Sequence, residues 1–235
     1  MTVIDMSEYD LRLVEVSGEL YALEDHLQLI ESQMEFILQR ERLRMNAHIQ
    51  KEGLCSDDPE WHEARQEYDN RMDFLLPRFF RGPFLVSLYA VYESAVTEIA
   101  RIIQDKQFQH ISINDLKGNF LEKANKYYKH ILQFELYSEQ RTWHRVKMLF
   151  ELRNAFAHVN GRFEMLNEKS RRFIKNFERQ NIGISIYDGY IVCDANIVAD
   201  IFDAVRGSLE ELVVRYKHWD DQQRNANKRL NIKLA

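Results

Sequence analysis

A chain of 235 residues is long enough to bury one large core or two smaller ones. Three Pro and eight Gly leave few natural breaks, and abundant Leu, Glu, Gln, Lys and Arg favour long helices over sheet. A net charge of −5 argues against a uniformly basic nucleic-acid binder, while two widely separated cysteines, Cys55 and Cys193, exclude a disulfide framework and fit a reducing compartment.

The N-terminal residues Met1 to Asp10 are acidic and lack the basic-then-apolar order of a leader. No apolar run approaches the roughly 20 residues of a membrane span, so a soluble, cytoplasmic protein is expected. The charge is unevenly spread. Between Lys117 and Arg179 stand 14 Lys or Arg against 7 Asp or Glu, which makes this segment basic and its flanks acidic. Such charged helical faces are either solvated or used for a polyanion.

In chain order, Leu13, Val16, Leu20, Leu23, Leu27, Ile30, Met34 and Ile37 alternate spacings of three and four. They predict one long helix from Tyr9 to about Lys51 with a heptad seam. Its partner is either a second subunit or the next helix. Gly53 to Pro59 reads as a stop, an Asp cap and a Pro at the first helical position. The following helix places Trp61, Ala64, Tyr68, Met72, Leu75 and Phe79 at core spacing, which favours an antiparallel hairpin within the chain. Pro77 is expected to bend or end that helix, and Arg81-Gly82-Pro83 to mark the next break.

Phe84 to about Gln107 predicts a strongly apolar helix, with Phe84, Leu88, Val91, Ala95, Ile99 and Ile102 as its stripe and Leu85, Tyr89, Tyr92, Val96 and Ile103 broadening it. A face that wide belongs at the centre of a bundle. Glu93 lies at its edge, either as a surface carboxylate or as the partner of a buried Arg. A shorter helix from about Phe120 to Gln133 turns Lys123, Lys126 and Lys129 to its basic side. Ser138 is placed to cap a helix running to about Val159, and Gly161 to stop it. Residues 164–180 read as helix again. Gly183 to Cys193 gives two alternating runs around Asp188-Gly189, the signature of a β-hairpin. Asp194 caps a last helix through Ile197, Ile201, Val205, Leu209, Leu212 and Tyr216, and the residues from Asp220 onward read as a polar, fraying tail.

The helix ending at Val159 carries the chemistry. On a wheel of 100° per residue, Gln140, His144, Lys147, Glu151, Asn154 and His158 form one polar stripe. Trp143, Val146, Leu149, Leu152, Phe156 and Ala157 oppose it, and Arg153 falls within their apolar arc. There it requires a carboxylate, for which Glu93 is the candidate, or must snorkel to an edge. A structural ion pair for Arg153 and a dipole-favoured helix-end histidine are the plain alternative.

Arg153-Asn154-Ala155-Phe156-Ala157-His158 resembles the Arg, polar, three variable residues, His pattern of the HEPN superfamily, late in a long helix of an α-helical bundle. The resemblance covers roughly Phe84 to Tyr216. It implies an all-α, HEPN-like helical bundle over residues 81–220 with a β-hairpin at 183–193, preceded by the helical hairpin of residues 1–80 and followed by a tail at 221–235. It further implies a metal-independent endoribonuclease, similar to those of toxin–antitoxin and abortive-infection systems, that needs no cofactor and leaves 2′,3′-cyclic phosphate and 5′-hydroxyl ends. By that resemblance His158 moves the proton, Arg153 holds the phosphate and Asn154 orients the imidazole or the phosphate. Glu93, Glu151 and Lys147 would support them, and Arg145, Arg162, Lys126 and Lys129 would bind RNA. A homodimer through the motif helices and a regulatory protein such as an antitoxin are the partners implied.

Other chemistries lack their residues: no His-Glu-x-x-His pair, Cys cluster, Gly-rich phosphate loop or Gly-x-Ser-x-Gly elbow occurs. Tyr127, Tyr128, Trp143 and Tyr187 lie near basic positions, to pack or to stack bases. A non-catalytic helical module binding a nucleotide, RNA or protein is the other reading. The RNA substrate and the trigger are not written in the sequence.

Overall fold

In the computed structural model, residues 11–137 and 139–234 are described, with side chains from 13 to 225 apart from residue 138. The expectations for Tyr9 and for Ser138 as a cap lie outside them. The chain is all-α with one small β-hairpin. Its elements are α1 (Leu11–Glu52), α2 (Pro59–Asp69), α3 (Leu76–Gln107), α4 (Phe120–Lys126), α5 (Gln140–Val159), α6 (Glu168–Arg179), β1 (Ile184–Tyr187), β2 (Tyr190–Cys193) and α7 (Ala195–Leu234).

Two compact units are formed. One gathers the residues up to Leu20, Ala90–Lys147 and those from Phe202 on; the other gathers Tyr21–Tyr89 and Met148–Ile201. Helices α1, α3, α5 and α7 each contribute to both.

In the second unit α1 folds back on the helix after it. Tyr68 Oη donates to the carbonyl of Leu38 at 3.5 Å, Arg71 meets Glu41 at 3.5 Å, and Arg81 grips Glu31 through Nε at 2.8 Å and Nη2 at 2.7 Å. From Glu31–Arg81 to Glu41–Arg71 the numbers rise on one arm of the hairpin and fall on the other, so this part of the heptad seam is covered antiparallel within the chain. Leu23, Ile30 and Met34 are buried there.

The helix does not end at Pro77, and the break expected at Gly82-Pro83 does not occur. Between α2 and α3 the helix widens into a π-turn at Asn70–Leu75, closed by Leu76 N–H donating to Arg71 five residues back, and the axis runs on through Pro83 to Gln107. A proline inside a helix costs about 3 kcal/mol. Full burial of Phe84, Leu85 and Leu88 just beyond it contributes about 1.5–3 kcal/mol each, so continuity wins.

The π-turn has a second effect. One extra residue in a turn rotates everything after it by about 100°. Leu75 and Phe79 therefore lose the core positions their spacing predicts. Phe74 is buried at 5 % exposure and Arg78 at 7 %, whereas Phe79 is 53 % exposed.

Gly82 is a contact instead of a break. A Cβ there would sit 2.7 Å from Cδ1 of Phe156 on α5, so only glycine lets the two helices approach.

The hairpin forms as expected, with Ile184 opposite Cys193 and Tyr187 opposite Tyr190. Asp188 and Gly189 both have positive φ, 48° and 76°, as a two-residue hairpin turn of this hand requires.

In the first unit, α3 buries Tyr92, Val96, Ile99 and Ile103, and α7 buries Val205, Leu209, Leu212 and Tyr216. Tyr127 and Tyr128 lie in a π-helical turn that continues α4 and are fully buried. Their hydroxyls donate to the carbonyls of Ile111 and Val96, both at 2.7 Å, so these two rings pack and do not stack bases. Asp220, read as the start of a frayed tail, is buried in the continuing α7 and is paired with Lys106 and Arg224.

By length and composition one helix, Pro59–Gln107 with its π-turn, is apolar enough to cross a membrane. Within it Phe84, Leu85, Leu88, Tyr89, Tyr92, Val96, Ile99, Ile102 and Ile103 are buried, while Val86 and Val91 are part-exposed and Ala90 is exposed.

Candidate functional site

Helix α5 turns Leu149, Leu152 and Ala155 fully inward, which leaves Arg153 at the margin of its buried face. The aliphatic stem stays half-buried while the guanidinium lies over the Tyr89 ring, 5.4 Å from its centroid. Phe150 tilts against the same ring at 5.8 Å. A cation over an aromatic face within about 6 Å is stabilised without a counter-ion.

The head group then reaches along the helix. Nη1 donates to Asn154 Oδ1 at 2.9 Å and stands 3.3 Å from His158 Nε2. Among the described residues of its own unit no carboxylate stands at ion-pair distance from Arg153, which meets an aromatic ring, an amide oxygen and an imidazole. The separation of Arg153 from the Asn154–His158 stripe, implied by the helical wheel, is closed by the length of its side chain.

His158 is exposed and Asn154 half-buried. Acceptance from Arg153 assigns the lone pair to Nε2 and the proton of the neutral ring to Nδ1. Nε and Nη2 of Arg153 have no hydrogen-bond partner among the described residues and remain available to an anion.

The end of the helix is held from outside. Asn160 and Gly161 both adopt positive φ, 51° and 73°, and Gly161 N–H returns to the carbonyl of Ala155, six residues back, at 2.9 Å, which closes the helix C-terminus one residue wider than a Schellman turn. The expected stop at Gly161 is thus shared with Asn160. Ile191 N–H donates to the Gly161 carbonyl at 2.9 Å, and Phe163 N–H to Gly189 at 2.8 Å. The β-hairpin therefore fixes the segment just beyond His158.

Glu151 does not lie on an open polar stripe. Its side chain is buried and accepts a hydrogen bond from Ser170 Oγ on α6 at 2.9 Å, because α6 packs over that part of the wheel. Glu151 is a buried tie between α5 and α6, not a group facing solvent.

Of the other expected residues, Arg162 follows the helix end, exposed, with its guanidinium 5.9 Å from the Tyr190 ring centroid. Glu93, Lys147, Arg145, Lys126 and Lys129 belong to the first unit. Glu93 is half-exposed and its backbone carbonyl accepts from Thr97 Oγ1 at 2.8 Å. Lys126 and Lys129 are exposed, and Arg145 and Lys147 half-buried. The second unit brings together Arg153, Asn154 and His158, with Glu151 and Arg162 beside them in sequence.

Two parts of this arrangement escaped the sequence. Tyr89 was one of many apolar residues on α3, and nothing in its spacing marks it as the bed of a guanidinium. Ser170 is an ordinary helix residue until α6 is placed.

Among the described residues no three His, Cys, Asp or Glu side chains gather as a metal ion would need. A cleft of about 740 Å³ in the first unit is lined by Lys106, Phe108, Gln133, Trp219, Asp220 and Arg224. Its charges are committed to one another. There Lys106 is raised above its ordinary pKa: burial opposes its charge, but hydrogen bonds to Asp220 and Tyr216 outweigh that. No family model matches the chain, and neither a curated protein nor a solved structure matches it.

Proposed function

We propose that this chain is a metal-independent endoribonuclease of HEPN type. The observation that supports it is the meeting of Arg153, Asn154 and His158 at the end of α5, with Arg153 Nη1 within 3.3 Å of the imidazole. A guanidinium and an imidazole at that separation can address the same phosphodiester, the first through its free Nε and Nη2 and the second through Nε2 once Arg153 Nη1 turns from it to the phosphate.

In this reaction Arg153 holds the non-bridging phosphate oxygens and stabilises the charge that grows on them. His158 takes the proton from the ribose 2′-hydroxyl or gives one to the departing 5′-oxygen. The 2′-oxygen bonds to phosphorus as the bond to the 5′-oxygen breaks, leaving a 2′,3′-cyclic phosphate and a 5′-hydroxyl. Asn154 accepts a hydrogen bond from Arg153 and positions it, a contact compatible with the expectation that it orients the imidazole or the phosphate.

In a single in-line step the 2′-hydroxyl loses its proton on one side of phosphorus while the 5′-oxygen gains one on the other, and one imidazole does not span both. The exposed end of α5 therefore faces a second copy in a homodimer, whose imidazole supplies the other proton. The protein acts in the cytoplasm as a defence or toxin effector and is held in check by a regulatory protein such as an antitoxin.

The test is RNA end analysis in cells expressing the wild type or His158→Ala. Wild type produces 5′-hydroxyl ends and arrests growth, and His158→Ala does neither. Intact RNA with equally harmless wild type and variant would overturn the nuclease reading in favour of a binding module.

A further inference from the structure

The helix phase shift at Asn70–Leu75 builds a feature that the trio does not use. Arg78 is buried at 7 % exposure, yet it makes no ion pair or hydrogen bond among the described residues, and its Nε is sealed from solvent without a partner. Its guanidinium is instead enclosed by rings, 4.2 Å from the centroid of Tyr190, 4.6 Å from Phe79 and 5.2 Å from Phe74. The rings stabilise the face of this cation, but its N–H edge has no acceptor, and a buried donor left without one costs about 1–3 kcal/mol.

Tyr190 carries a second guanidinium, that of Arg162, which also has no ion pair among the described residues. Around these two cations the aromatic surface is open. Phe79 is 53 % exposed and Tyr187 50 % exposed, and Tyr187 leans on Phe74 at 5.3 Å. Large exposed rings beside unneutralised guanidiniums are the composition of a surface that stacks bases and tracks phosphates. The nearby carboxylates Asp73 and Asp188 pair with neither arginine.

The patch is continuous with the candidate site through the backbone. Phe79 precedes Gly82 by three residues, about 4.5 Å of helix rise, and Gly82 is the residue that Phe156 of α5 packs against. Arg162 follows His158 by four residues and bridges to Tyr190 in the hairpin.

We infer that Phe79, Tyr187 and Tyr190, with Arg78 and Arg162, form a binding platform for single-stranded RNA. An unpaired base stacks on an exposed ring, and its phosphate completes the buried Arg78 together with Arg162. The trio cuts, and this platform holds the unpaired strand beside it. The inference rests on the reading of the chain as acting on RNA, but its site shares no residue with the trio.

The experiment uses full-length His158→Ala protein, which cannot cut, and a fluorescently labelled 12-nucleotide single-stranded RNA followed by anisotropy. Tyr187→Ala, Phe79→Ala and Arg162→Gln in that background each weaken binding about tenfold, the scale of one lost stacking or phosphate contact, with melting temperatures unchanged because all three side chains are exposed. Arg78→Lys, which retains charge but not the planar stack, weakens it as well. Duplex RNA of the same sequence binds more weakly. The inference is overturned if the three surface variants bind like their parent, if duplex binds as tightly as single strand, or if a mononucleotide displaces the oligonucleotide at equal concentration and so reveals a small-molecule site. Binding lost with cleavage by the otherwise wild-type protein intact sinks the platform alone; binding intact with no cleavage by the wild type sinks the nuclease reading alone.

Discussion

Arg153 Nη1 lies 3.3 Å from His158 Nε2, one and a half turns further along α5, with the guanidinium resting on the Tyr89 ring. A helical wheel separates these side chains by more than a right angle. The reach of arginine along its own helix closes that gap, and the aromatic bed removes the need for an acid. The planar group is required on both counts, since lysine neither stacks in this way nor offers a free edge while donating elsewhere.

Arg153→Ala and Arg153→Lys are both expected to lower RNA cleavage by about 100- to 1000-fold, the usual consequence of losing a donor to a developing oxyanion. Asn154→Ala costs less, about tenfold, and falls on kcat more than KM because Asn154 acts through Arg153. Initial rates on a labelled RNA, measured beside melting curves, decide this. Near-normal cleavage by Arg153→Lys would show that a point charge suffices and that the stacked geometry is irrelevant.

Gly82→Ala tests the helix crossing that supports the site. The new methyl would meet Phe156 Cδ1 at 2.7 Å, and overpacking of this kind costs about 1–3 kcal/mol. Urea denaturation should show that loss. Combined with Phe156→Leu, the cost should fall below the sum of the two single changes, since the residues share one contact. Strict additivity would place the close approach elsewhere.

Much of the fold was legible because hydrophobic spacing and turn chemistry are local. The heptads of α1, the broad stripe of α3 and the Asp188-Gly189 turn all formed where the sequence placed them. The errors arose where distant burial overrode a local rule. Pro83 looked like a stop and Pro77 like a bend or an end, but the apolar residues after them keep the helix running. The π-turn then moved Arg78 inward and Phe79 outward, a one-residue slip invisible to a fixed period of 3.6. At the site the three motif residues were legible and their mutual contact was not. The partners Tyr89 and Ser170 come from α3 and α6, so only tertiary structure reveals them. Asp220 misled for the same reason: a polar stretch says nothing of the Lys106 that covers it.

Glu151 separates a structural from a subunit-facing role. Ser170→Ala removes the hydroxyl that donates to the buried carboxylate and should destabilise by about 1–3 kcal/mol, the cost of an unsatisfied buried acceptor. Glu151→Gln keeps an oxygen for Ser170 and should cost less, leaving the proposed cleavage and the proposed dimer unchanged. A dimer that dissociates in Glu151→Gln at constant stability would return Glu151 to the interface.

Cys193 gives a prediction in pH. Burial pushes its thiol from the ordinary 9.0 up to about 12, opposed by the Arg81 charge and reinforced by that of Asp194. Because the folded protein holds the proton more tightly than the unfolded chain, this contribution is fully present below about pH 9 and declines as pH rises from there toward 12. Exposed Cys55 should react promptly with a disulfide reagent at pH 8, and Cys193 only after denaturant is added. Stability curves between pH 8 and 11 should fall less steeply in Cys193→Ala than in wild type, whatever the variant loses in packing at neutral pH. Two thiols reacting at equal rates in the native protein would mean that the β2 strand opens freely, and with it the backbone bond from Ile191 that holds the end of the motif helix.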